Sequence, residues 1–164
     1  VTRITHADAD ARFRPGADLS GQDLAGADLS GRRLSGANLR GVQLEGANLQ
    51  GVLLDGADLR EAHCAGANLH LAQLGGADVS GADFTGARLE RCGLVGTRGH
   101  GANFTRAQLY YARPGNADLA GAVFREADIT RCIFRRANLR NADFSGAVGR
   151  GNFDRAELEG AQGL

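Results

Sequence analysis

A large apolar residue falls on every fifth position of this chain. In the stretch GADLSGQDLAGADLSGRRLSGANL, residues 16–39, those positions are Leu19, Leu24, Leu29, Leu34 and Leu39. An α-helix repeats every 3.6 residues and a flat strand every 2.0, so a period of five belongs to neither. The beat runs from residue 19 to residue 144 through 26 centres, of which 23 are Leu, Phe, Ile or Val; Cys64, Gly99 and Pro114 are the exceptions. Two residues before the centre stands Ala in 19 of the 26 units, as at Ala17, Ala57, Ala102 and Ala137. This second, smaller beat decides the geometry. Residues two apart on an extended backbone point the same way, so Ala and centre both face inward and the other three residues must turn a corner. Gly two residues after a centre eases that corner, which accounts for 16 of the 25 glycines in the chain.

An identical bend, repeated, closes into a coil, and each coil stacks on the next at about 4.8 Å. Units such as Ala27-Asp28-Leu29-Ser30-Gly31 and Ala47-Asn48-Leu49-Gln50-Gly51 resemble the pentapeptide-repeat family, and the resemblance runs over residues 17–147 without a phase slip. It implies an all-β fold, a right-handed quadrilateral parallel β-helix (solenoid) of about 6–8 coils, each built from four pentapeptides. The repeat then makes a rod of roughly 31 Å. With four sides, residues 20 apart stack. The first side carries centres 19/39/59/79, the second 24/44/64/84, the third 29/49/69/89 and the fourth 34/54/74/94, each continuing upward. Centres shift from Leu toward Phe in the C-terminal half, so the core is expected to be fatter there.

The two ends break phase. Phe13 stands six residues before Leu19, while Phe153 and Leu158 come one residue early. Residues 1–16 are therefore read as an N-terminal cap or distorted coil, 17–147 as the β-helix, and 148–164 as a phase-shifted coil or cap. Gln22 and Arg32 occupy Ala positions near the lower end, where they are expected to turn toward water. Pro114 at a centre predicts a local bulge without an insertion.

Composition rules out most chemistry. Formal charge is zero, with 19 Arg, no Lys and 19 acidic residues; this is neither a polyanion nor a polycation. No apolar run approaches the roughly 18 residues of a membrane span, and the N-terminus has no charged-then-apolar signal layout, so the expectation is a cytoplasmic protein with no membrane partner. Cys64 and His63 point to opposite sides of the wall and cannot form a dyad. Cys92 and Cys132 lie two coils apart, about 10 Å, beyond disulfide reach; three free thiols are expected. His63 and Asp83 share an outer column but are too few for a metal site. With no phosphate loop and no nucleophile motif, the chain is read as a non-enzyme with no cofactor and no metal.

Function is then expected on the outer faces. One candidate is an acidic ladder on the first side: Asp18, Asn38, Asp58, Asp78, then Arg98, Asp118 and Asn138. The resemblance implies a use for it, since pentapeptide-repeat proteins include members that bind DNA gyrase by imitating DNA and give quinolone resistance or self-protection. A type II topoisomerase is thus one expected partner, met by the candidate ladder of Asp18, Asp58, Asp78 and Asp118, with Asp58, Asp78 and Asp118 as the suggested contacts. Against this, Asp and Asn before Leu can bond nearby backbone, and Arg40, Arg60 and Arg140 in a nearby column offset the field. The other candidate is the fourth side, where the residue before the centre runs Arg33, Leu53, Gln73, Gly93, Arg113, Ile133. Leu53, Leu71, Val95, Tyr111 and Ile133, flanked by Arg91 and Arg131, read as an apolar, Arg-edged interface for a protein partner or a homodimer, which makes the rod a scaffold or oligomerisation module of open biological role. Direct nucleic-acid binding by Arg125, Arg131, Arg135, Arg136 and Arg140 is not expected, because Glu126, Asp128 and Asp143 neighbour them.

Overall fold

A computed structural model describes residues 11–164; of the expected N-terminal cap, residues 1–10 lie outside the described residues. One repeat shows why the chain coils. Asn38 donates its N–H to the Ala17 carbonyl (2.8 Å), and Leu19 donates to the Asn38 carbonyl (2.8 Å), so Asp18 and Asn38 form a parallel bridge. Gln22 N–H donates back to the Leu19 carbonyl (3.2 Å), closing a four-residue turn over Ser20 and Gly21. Gly21 has φ 63°, the signature of a type II turn, and its own N–H donates to Arg40 one coil on (2.9 Å). Four of the five backbone donors in a repeat are thereby used by other backbone groups. The fifth, on the residue after the centre, is met in this repeat by the Asp18 side chain, which accepts from the Ser20 N–H (3.1 Å).

Parallel bridges tie residue i to residue i+20 along four columns, for example Asp18–Asn38–Asp58–Asp78–Arg98–Asp118–Asn138 and Arg33–Leu53–Gln73–Gly93–Arg113. Twenty residues and four turns make one coil. Each flat side is only three residues long, so pairing is limited to single bridges and no longer strand forms among the described residues.

The inner lining is Ala and centre residues, nearly all without solvent contact. Leu lines the lower coils. On the second side Phe84, Phe104, Phe124 and Phe144 stack in one file with centroid spacings of 5.1, 5.0 and 4.7 Å and planes within 5°, the spacing the coils impose. A second file, Phe134 on Phe153 at 5.0 Å, meets the first edge-on. Gly99 leaves no hole, because a Cβ there would sit 2.7 Å from Leu119 Cδ2 and 3.1 Å from Val79 Cγ2; the residues one coil above and below already fill the space.

Pro114 corrects an expectation. It is buried, the phase is kept, and Asn116 and Ala117 turn the usual corner (2.9 and 3.2 Å); there is no bulge. Proline lacks the N–H that every other centre donates upward. Ile133 still donates to Ala112 (2.9 Å), but the reciprocal bond is gone, and the Arg113–Ile133 bridge with it. The bond from Leu94 to Arg113 is drawn out to 3.2 Å.

At the lower end Phe13 is buried against the first coil, and the Arg32 guanidinium lies 6.0 Å from its ring centre, so Arg32 covers the lid with cation–π contact. At the upper end the bridge spacing drops from 20 to 19: Asp128 pairs with Val148, but Ile133 pairs with Asn152 and Asn138 with Glu157. One residue is missing from the corner between Val148 and Asn152, which explains the early Phe153 and Leu158. This last coil has nothing above it among the described residues, and Val148, Leu158 and Leu164 are exposed.

Candidate functional site: the outer faces

The acidic ladder is aligned, one residue above another, on the first side. Its side chains are engaged locally. Asp18 accepts from the Ser20 N–H (3.1 Å), the Ser20 hydroxyl (2.7 Å) and Asn38 (3.0 Å), and its carboxyl is held below its ordinary range by the Ser20 bonds. Asp58 is gripped by the Arg60 guanidinium at 2.6 and 2.8 Å, and this pairing lowers its pKa. For Asp78, partial burial raises the pKa, but bonds from Ser80 and Arg98 outweigh it and the net shift is downward. Asp118 accepts from Asn138 (2.8 Å) and lies 2.8 Å from His100 Nε2. Side chains before the centre repeatedly bond the N–H two residues on: Asp23 to Ala25, Asp83 to Thr85, Asn103 to Thr105, Asp128 to Thr130. Asp and Asn at this position supply the acceptor for the fifth backbone donor. The ladder is first of all part of the wall.

The fourth side lacks that device. From Arg33 to Ile133 no Asp or Asn stands before the centre. The N–H groups of Ser35, Asp55, Gly75, Val95, Gly115 and Arg135 accordingly have no acceptor among the described residues. They form a column of backbone donors facing outward, one per coil.

The expected interface residues divide. Leu71 (43% exposed) and Val95 (52%) stand free at the two edges of the fourth side. Leu53, Tyr111 and Ile133 are half-buried. Leu53 and Ile133 do not merge into one apolar stripe, because Gln73 lies across Gly93 between them and bonds the Leu71 carbonyl (3.0 Å), followed by Arg113. Where Leu71, Gln73, Arg91, Tyr110, Tyr111 and Arg113 meet, a shallow groove of 590 Å³ opens. Arg131 lies over the Tyr111 ring (5.2 Å) and donates to the Tyr111 hydroxyl. Tyr110, 38% exposed, meets Tyr111 edge-on at 4.6 Å. Sequence reasoning passed over Tyr110, although its position directly after a centre already placed it outside.

Zero net charge conceals a division between faces. Counting each corner with the side it follows, sides one and two carry twelve acidic residues against six Arg, and sides three and four carry five acidic residues against ten Arg. Elsewhere the chemistry is bare. Cys64, Cys92 and Cys132 are buried free thiols, with burial raising the pKa of each. Among the described residues no cluster of three metal-binding side chains occurs and no helix is long and apolar enough to cross a membrane.

No curated protein matches the chain. Among solved structures it is similar to a pentapeptide repeat protein from the thylakoid lumen of Arabidopsis thaliana (33% identity, 69% of this chain and 68% of that one, TM-score 0.39). It is also similar to HetL of Nostoc sp. strain PCC 7120, a pentapeptide repeat protein involved in heterocyst differentiation regulation (27% identity, 97% and 95%, TM-score 0.29). A third is QnrB1, a plasmid-mediated fluoroquinolone resistance protein (23% identity, 92% and 85%, TM-score 0.39). The model of pentapeptide repeats matches eight copies over residues 16–51, 47–86, 82–113 and 115–148. On that match, and on the twenty-residue coil with its Asx-bonded corners, the chain belongs to the pentapeptide-repeat family.

Proposed function

We propose that the protein is a non-enzymatic protein-binding rod that acts through its fourth side. The observation that carries this reading is the column of unmet backbone donors from Ser35 to Arg135, flanked by exposed Leu71, Val95 and Tyr110. On the other three sides Asp or Asn side chains accept from most of these donors, as at Ser20, Ala25 and Ser30, whereas from Ser35 to Arg135 none is met among the described residues, which leaves the fourth side to be completed from outside. The test is site-specific photo-crosslinking in extract of the producing cell. A crosslinker replacing Gln73 or Val95 is expected to give a discrete protein adduct, and one replacing Arg40 or Gln50, whose N–H groups are met by Asn38 and Asn48, is expected to give none. Adducts independent of position, or none from the fourth side, would overturn the reading.

The alignment of Asp18, Asp58, Asp78 and Asp118 favours a second reading, a DNA-like rod that binds a type II topoisomerase. Its test is gyrase supercoiling. Inhibition or fluoroquinolone protection that vanishes in Asp58→Asn/Asp78→Asn/Asp118→Asn supports it; no effect at large excess of the rod removes it.

A further inference from the structure

We infer that the groove at the edge of the third and fourth sides receives an extended acidic segment of the partner, with an apolar or aromatic side chain seated against Tyr110 and Tyr111. The inference rests on the fourth-side reading and names the chemistry of what binds there. The guanidinium groups of Arg91 and Arg113 line the groove and have no hydrogen-bond or ion-pair partner among the described residues, and that of Arg131 beside them bonds only the Tyr111 hydroxyl. On the first side, by contrast, Arg40, Arg60, Arg98 and Arg140 each hold a carboxylate. Glu90, next to the groove, is tied to Arg88 at 3.3 Å. Unpaired guanidinium groups lining a groove beside aromatic rings are the arrangement by which a surface recognises carboxylates attached to apolar neighbours.

The backbone adds to the same preference. The N–H groups of Val95 and Gly115 lie on the fourth side without acceptors. A carboxylate or an extended main chain brings acceptors to both the arginines and these donors. Commitment to an acidic protein segment follows from what the alternatives would meet. A second copy presenting this same face brings its own Arg91, Arg113 and Arg131 against those of the first, and like charges across an interface are disfavoured. A nucleic acid would set its phosphates against a groove floor of Leu71 and two Tyr that is more apolar than a phosphate track.

The test uses fluorescence anisotropy with three labelled probes of equal length: a twelve-residue peptide of alternating Glu and Phe, the same peptide with Lys for Glu, and a twelve-nucleotide oligo-dT. The acidic peptide is expected to bind saturably and more weakly as salt rises. Arg91→Gln/Arg113→Gln is expected to raise its Kd about tenfold or more, as removal of paired charges does, and Tyr110→Ser to raise it severalfold. Arg60→Gln, on the opposite side, leaves the Kd unchanged. Circular dichroism confirms that each exposed-surface variant is folded. Equal binding of the Lys peptide, tighter binding of oligo-dT, no saturable binding of the acidic peptide, or indifference to the groove variants each overturns the inference. If any of these occurs while crosslinks still map to Gln73 and Val95, the fourth-side reading survives and only the acidic segment fails. If the crosslinks fail too, both are lost.

Discussion

Phe124 is the sharpest place to test the packing. Its ring is buried, with Phe104 stacked below at 5.0 Å, Phe144 stacked above at 4.7 Å, and Phe134 edge-on at 5.5 Å. Phe124→Ala removes the transfer energy of the ring and leaves a cavity that neighbouring coils cannot collapse into, because their spacing is fixed by backbone bonds on both sides. The expected loss is about 3–5 kcal/mol. Phe124→Leu restores the residue the lower coils use at Leu24 and Leu44, so it keeps most of the apolar volume and loses mainly ring contacts, each worth about 0.5–1.5 kcal/mol. A double-mutant cycle of Phe104→Leu with Phe124→Leu isolates one stacked pair and is expected to show coupling of that same size. Phe124→Leu with Leu24→Ala, five coils apart, is expected to be additive. The chain has no Trp, so urea unfolding is followed by far-ultraviolet circular dichroism. Repeat rods can unfold in parts, and an unchanged m-value is the check that the comparison is two-state. A loss below about 1 kcal/mol for Phe124→Ala would refute the stacked file, since no buried ring in a fixed lattice comes away so cheaply.

Three further outcomes follow from particular positions. Arg106 holds a corner at φ 57°, where the coil below has Gly86 at 64°; Arg106→Gly is expected to stabilise by about 0.5–1 kcal/mol, the left-handed penalty less the entropy cost of Gly, and Gly86→Arg to destabilise by a like amount in the same urea assay. Gly99→Leu forces a side chain into space held by Leu119 and Val79 and is expected to cost about 1–3 kcal/mol, although it makes the repeat more regular. Asp143 is held at about 2 by the Ser145 hydroxyl and N–H, with Arg125 adding to the effect. A carboxyl depressed below its ordinary 3.8 stabilises the fold above that value and loses this contribution as pH falls toward 2. An NMR titration should find it there, and Ser145→Ala should raise it more than Arg125→Gln.

How far the fold could be read from the residues depends on which groups set it. The Leu and Ala beats fix which side chains face inward; the family resemblance supplied four sides to the coil, and with four sides the columns from Asp18 to Asn138 and from Arg33 to Arg113 followed from counting. The missing residue near Gly149 showed for the same reason, as an early Phe153. Pro114 was misjudged because its lost N–H costs one bond in an otherwise redundant ladder, and the lattice absorbs that loss without bending. The outer faces were less legible. That Asp18, Asp58, Asp78 and Asp118 align was clear, but whether each carboxylate turns to solvent, to Arg60 or Arg98, or to the N–H two residues on depends on rotamers that the repeat does not encode. The absence of Asp and Asn from the fourth side was visible in the letters. Its consequence, a line of unmet donors beside Tyr110 and Arg113, required a full account of where each backbone bond goes.

The fold stands on the stacking of residues twenty apart, and ring-to-ring nuclear Overhauser effects test that stacking without perturbing the chain. With only seven Phe present, selective labelling resolves each ring. Phe104 is expected to show contacts to both Phe84 and Phe124, and Phe124 to Phe104, Phe134 and Phe144. Contacts from Phe104 to neither Phe84 nor Phe124 would contradict the twenty-residue coil and every face assigned from it.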